Sequence, residues 1–145
     1  MLGMDLILTR KHWAGDCSLG EVMRHTLTVT GGTKNDREIA EKAIRWALSG
    51  PILISTTPDL SIKVKICQYV THQCWGSVVE DNEENTAFSM TIANNQGLRD
   101  YIATIMHEMI HVNQYVTQKW DGDGEREAEY WQYKMADMFW TNGEL

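Results

Sequence analysis

Apolar positions along the chain change period several times, and each change predicts an element. Thr26-Leu27-Thr28-Val29-Thr30 alternates and predicts a strand ending at Gly31-Gly32. Ile39, Ala40, Ala43, Ile44, Ala47 and Leu48 then recur at three- and four-residue steps. That is a helix with one packed face, opened by a capping box of Asn35 with Glu38 and closed by Gly50-Pro51. Ser61 to Tyr69 returns to alternation, with Ile62, Val64 and Ile66 on one side and Lys63 and Lys65 on the other, so one face is buried and one wet. Short strands are expected at Ile52-Leu53-Ile54 and, after a turn at Cys74-Trp75-Gly76, from Val78-Val79. Glu80 to Asn85 is an acidic loop, and Thr86 to Ala93 alternates again around Phe88, Met90 and Ile92. Upstream, Leu2 to Thr9 reads as a strand and Leu19 to His25 as a short helix or irregular chain.

The longest signal follows. Leu98, Ile102, Ile105, Met109 and Val112 form an apolar stripe, no Pro or Gly interrupts residues 98–119, and Asn94, Asn95 and Asp100 supply capping and first-turn chemistry. Beside that stripe stands His107-Glu108-Met109-Ile110-His111. A helix advances about 100° per residue, so two histidines four apart project from one face and can share a metal ion. Glu108 falls on the flank of that face, where its carboxylate can reach a water on the metal without ligating it.

Two histidines leave zinc short of a ligand, since catalytic sites take three protein ligands and keep a position for water. After a turn at Asp121-Gly122-Asp123-Gly124, a second helix from about Glu125 to Phe139 opens with Glu125, Glu127 and Glu129, any of which could complete the set. Glu125 is preferred. Glu129 shares its face and would stand behind it, whereas Glu127 points roughly 200° away. Ala128, Trp131, Met135, Met138 and Phe139 form the apolar side that clamps this helix to the first. Tyr115 and Tyr130 are the candidates for holding an oxyanion.

His107-Glu108-Met109-Ile110-His111, followed by Tyr115-Val116-Thr117 and a Gly-rich turn, resembles the SprT-like metallopeptidase domain. The Glu125 to Ala128 run instead resembles small gluzincins, including compact bacteriophage-encoded peptidases. Both resemblances imply His107 and His111 as zinc ligands and Glu108 as general base. They part at the third ligand: the SprT-like pattern wants a histidine near Asp123-Gly124, where this chain has none, and the gluzincin pattern is met by Glu125. The likeness spans about residues 86–135. In zincins the strand before the metal-binding helix is a sheet edge that pairs with extended substrate, which resemblance extends to Thr86 to Ala93.

With 145 residues and ordinary composition, the chain is expected to form a single domain over residues 1–145. A net charge of −7 argues against nucleic-acid partners and so against the DNA-directed role of SprT-like proteins. Met1 to Leu8 lacks the features of a signal peptide and no window is long enough to cross a membrane, so a soluble cytosolic protein is expected, in a bacterial host if phage-encoded. Cys17, Cys67 and Cys74 are then free thiols; Cys67, His72 and Cys74 lack paired metal-site spacing and read as structural.

The expectation is an α+β, compact zincin-like domain: a small twisted mixed sheet, an edge strand before the metal-binding helix, and a second C-terminal helix supplying the third ligand. One Zn²⁺ per chain would sit on His107, His111 and Glu125, with Glu108 as base for hydrolysis of a protein or peptide substrate. The alternatives are a zincin-fold structural or regulatory protein with little hydrolysis, a metal-free interaction protein, and an SprT-like protease acting on DNA-associated proteins. Substrate and oligomeric state stay open.

Overall fold

A computed structural model describes residues 25–50, 59–69 and 74–142. Their order is β1 (Thr26–Gly31), α1 (Lys34–Leu48), β2 (Ser61–Cys67), β3 (Gly76–Glu80), β4 (Ala87–Ala93), α2 (Leu98–Thr117) and α3 (Glu125–Thr141). The strands form one mixed sheet in the order β1-β2-β4-β3. β1, β2 and β4 run parallel, and β3 returns antiparallel on the outside of β4. The register aligns apolar rows across the sheet: Val29, Val64, Met90 and Val78 are successive partners, as are Gly31, Ile66, Ile92 and Gly76. Phe88, Met90 and Ile92 are all but fully buried on the face that α1 and α2 cover.

α2 is the central element, packing against α1, α3, β3 and β4. Ile102, Ile105, Met106, Met109 and Val112 are buried along its inner side. Each such side chain contributes about 1.5–3 kcal/mol by leaving water, so the stripe fixes the helix's rotation and with it the direction of every other side chain. α1 presents the anticipated face of Ile39, Ala40, Ala43, Ile44, Ala47 and Leu48, with Trp46 added.

Four expectations need correction. β4 is interior rather than a sheet edge, because the antiparallel return of β3 covers its outer side; among the described residues β1 and β3 are the edges. The capping box of α1 is Thr33 with Asp36, two residues earlier than Asn35 with Glu38. The left-handed pair Gly31 and Gly32, at φ 81° and 61°, turns the chain out of β1 so that Thr33 reaches the cap, and Arg37 donates to both glycine carbonyls. Leu98 is exposed, outside the stripe it was assigned to. α2 is capped at Gly97 with no side-chain hydrogen bond: Asn94 instead donates to Asp36, Asn95 accepts from the Tyr69 N–H, and only Asp100 lies in the first turn.

β2 ends at Cys67, two residues before the anticipated Tyr69. The expected strands at Leu2 to Thr9 and Ile52 to Ile54, and all but the last residue of Leu19 to His25, lie outside the described residues. No described helix is long and apolar enough to cross a membrane.

Candidate metal centre

His107 and His111 project from the flank of α2, their ring centroids 4.9 Å apart. The chain leaves α2 through Gln118 in a left-handed conformation and turns at Gly122 and Gly124, at φ 58° and 82°. Asp123 Oδ1 accepts from the Glu125 N–H at 3.0 Å, and the Gly124 N–H donates to the Asp121 carbonyl at 2.9 Å. Only glycine suits position 124, since beyond its left-handed φ a Cβ would collide with the Gln114 amide. This turn delivers Glu125, the first residue of α3, onto the histidines.

Glu125 Oε1 lies 2.9 Å from His107 Nε2 and Oε2 lies 2.7 Å from His111 Nε2. Among the described residues, His107, His111 and Glu125 are the one group of three or more His, Cys, Asp and Glu whose ligand atoms converge, all within 4.8 Å of one another. The opposite ring nitrogens are committed elsewhere: His107 Nδ1 donates to Gln132 Oε1 at 2.6 Å and His111 Nδ1 to Gln114 Oε1 at 2.8 Å. A neutral imidazole so engaged turns a lone pair, not a proton, toward the carboxylate. With a proton on each Nε2 these contacts are ion pairs; with the rings neutral, two lone pairs and the carboxylate leave a place for a cation. The donor set therefore fits a divalent metal, and nitrogen with carboxylate oxygen is zinc's ordinary chemistry.

Gln114 is 4 % exposed and does more than orient His111. Its Nε2 donates to the Gly124 carbonyl at 3.0 Å and to Glu127 Oε1 at 2.9 Å, tying α2 to the turn that sets Glu125. Glu127, expected to point away, thus stands behind the site. Angles about α3's own axis do not register a side chain reaching across from α2. Glu129 is exposed and makes no hydrogen bond to the site among the described residues. Neither Gln114 nor Gln132 was anticipated, although spacing carried a signal: Gln114 is seven residues after His107, and Gln132 seven after Glu125, each on its predecessor's face.

Glu108 is 5 % exposed, and no described residue donates a hydrogen bond to it. Burial pushes its carboxyl above the ordinary range; His107 and His111 pull it back, and Glu125 pushes it further up. It opens on a cleft of about 670 Å³ whose walls include Trp75, Gly76, Asp100, Glu129, Gln132 and Tyr133. Gly76 begins the edge strand β3 against Glu108 and Thr104, leaving no room for a Cβ. Tyr133, four residues after Glu129 and unremarked in the sequence, reaches this cleft and donates to Asp100 at 2.6 Å. Tyr115 instead packs against Phe88 and Trp120, and Tyr130 is exposed beneath Lys134, so neither lines the cleft. Cys67 and Cys74 are free thiols; His72 and Cys17 lie outside the described residues.

Comparison of the chain with protein-family models, curated proteins and solved structures returns no match.

Proposed function

We propose that the protein is a zinc-dependent metallopeptidase of the His-Glu-x-x-His type, on a zincin-like fold. The observation that carries this reading is the convergence of His107, His111 and Glu125 beside a buried Glu108 that opens on a cleft and takes no hydrogen bond from a described residue. A site built only to hold metal has no use for a second carboxylate that is buried with no hydrogen bond from a described residue, because burying a charge without a partner is costly. A base awaiting a water is a use.

His107, His111 and Glu125 would hold the ion, leaving one position open. When bound, zinc supplies Lewis-acid activation of a water and of the substrate carbonyl. Glu108 takes the proton of the attacking water and passes it to the departing amine. Gln114 and Gln132 hold the two imidazoles in the tautomer that presents Nε2. The substrate lies along β3, whose outer side no described strand covers and which leads to Gly76, so that β3 takes the role expected of Thr86 to Ala93. An extended peptide paired there gains backbone hydrogen bonds without a particular sequence, and the absence of a Cβ at Gly76 keeps it close to Glu108.

Plasma mass spectrometry on protein purified without chelator, beside Glu125→Ala and Glu108→Gln, tests the assignment. About one zinc per chain is expected in the parent and in Glu108→Gln, and markedly less in Glu125→Ala. Peptide cleavage should vanish in Glu108→Gln. Cleavage surviving in a zinc-replete Glu108→Gln variant refutes the base, and failure of the parent to take up zinc refutes the centre.

A further inference from the structure

Among the described residues, every charged side chain lining the cleft beside the candidate centre, histidine aside, is acidic: Asp100 at the start of α2, Glu108 on the same helix and Glu129 on α3. The nearby cations are already engaged, although Arg99 acts on the Asp100 side of the cleft. Arg99 forms a two-point pair with Asp137 at 3.0 Å and stacks on the Tyr133 ring, and Lys134 lies over Tyr130. Asp100 is held in place by the Tyr133 hydroxyl, and Glu129 has no ion-pair partner among the described residues. The same cleft is lined by Trp75, 45 % exposed, whose ring is steadied by Tyr69 at 4.4 Å. Glu108, 5 % exposed, lines the same cleft, and no described residue donates a hydrogen bond to it.

Metal does not cancel this polarity. Two positive charges from an ion are met by Glu125 and Glu108, and Asp100 and Glu129 remain over. An aromatic face and carboxylates lining one cleft suit an ammonium or guanidinium group, which is attracted by both. We propose that the cleft selects polypeptide substrates carrying a lysine or arginine side chain next to the bond to be cut, seated between Trp75 and the carboxylates of Asp100 and Glu129. This rests on the metallopeptidase reading and adds its substrate class. The same carboxylates repel a phosphate backbone, in keeping with the net charge of −7.

The test uses zinc-loaded protein and matched fluorogenic peptides differing at one position beside the scissile bond. Lysine and arginine peptides are expected to show kcat/KM about tenfold above the alanine peptide, with the glutamate peptide lowest, as two exposed and partly screened carboxylates would give. The ratio should shrink in about 0.5 M salt. Asp100→Asn/Glu129→Gln should bring the lysine-to-alanine ratio close to one, a ratio that general damage to the variant would not alter. Equal rates for all peptides, or a ratio unchanged in the double variant, overturns the proposal. Should no peptide be cleaved, the metallopeptidase reading fails separately. Anisotropy of labelled lysine and glutamate peptides on Glu108→Gln protein then still decides the cleft's preference: tighter lysine binding supports it, and equal binding overturns it.

Discussion

Replacing Gln114 by leucine keeps the volume of a buried side chain while removing both ends of its amide. The His111 Nδ1–H loses its acceptor in a ring only 12 % exposed. The Gly124 carbonyl keeps the Ala128 N–H at 3.3 Å, and the half-buried Glu127 can turn to water. One orphaned buried donor and one lost hydrogen bond come to about 2–4 kcal/mol. At about 3 °C per kcal/mol for a domain of this size, the metal-free Tm should fall by about 6–12 °C. The larger consequence is for metal, since His111 loses the contact that fixes its tautomer and Glu125 the brace on its turn. Removing such a supporting contact weakens metal binding by about 10–100-fold. At zinc set to about 100 times the parent Kd, binding stabilises the parent by about 2.7 kcal/mol, or about 8 °C. A 30-fold weaker variant gains only about 0.9 kcal/mol, or about 3 °C. Thermal unfolding with and without zinc, beside competition against a chromophoric chelator, measures both. Phe139→Ala is the control: it opens a cavity at a fully buried residue on the far end of α3 and should cost about 3–5 kcal/mol while leaving the zinc increment intact. If Gln114→Leu behaves like Phe139→Ala, losing stability but keeping the whole increment, the coupling of α2 to the third ligand is wrong.

Two further outcomes follow. Gly76→Ala would place a Cβ 2.6 Å from Thr104 Cγ2 and 3.1 Å from Glu108 Oε2, so either the Glu108 and Thr104 side chains or β3 must give way; zinc content should hold while peptide turnover falls about tenfold or more, and unchanged turnover would remove β3 from the substrate path. Burial pushes the Asp36 carboxyl up, but the Thr33 N–H, the Asn94 amide and Arg37 outweigh it and hold it below the ordinary 3.8. A carboxyl depressed in the folded state stabilises above its unfolded value and loses that contribution as pH falls through the folded one, so Asp36→Asn should flatten urea-measured stability below about pH 4, and parallel acid limbs would rule the linkage out.

What the sequence disclosed depended on whether a feature is local to one element. Ile62, Val64 and Ile66 alternate with lysines, and Phe88, Met90 and Ile92 with Ser89 and Thr91, so both strands and their inner faces were legible. Alternation reports which face a residue takes and says nothing of a strand's neighbours, so the interior place of β4 waited on the return of β3. The start of α1 offered two overlapping frames, Thr33 with Asp36 and Asn35 with Glu38, and the choice lay in the glycine turn before it. His107, His111 and Glu108 were readable because their geometry is that of one helix. Glu125 needed a second helix, yet the brevity of the 121–124 turn left few alternatives, and the structure brings it to both histidines. The supports were the hardest to see: glutamine is common on helix faces, and only the crossing of α2 and α3 gives Gln114 and Gln132 their partners.

That both supports are amides bears on Glu108. Metal-binding histidines are often oriented by carboxylates, which also raise the basicity of the ring. Here a carboxylate in place of Gln114 or Gln132 would add negative charge around a buried acid that Glu125 already pushes upward. Each added charge would hold Glu108 further toward its protonated form, away from the form that accepts a proton near neutral pH. A neutral amide imposes the same tautomer without that penalty. On the metallopeptidase reading, the glutamines thus reconcile two demands made on one pocket, fixed imidazoles and an ionised buried base, with the Glu127 carboxylate kept one hydrogen bond further out, behind Gln114.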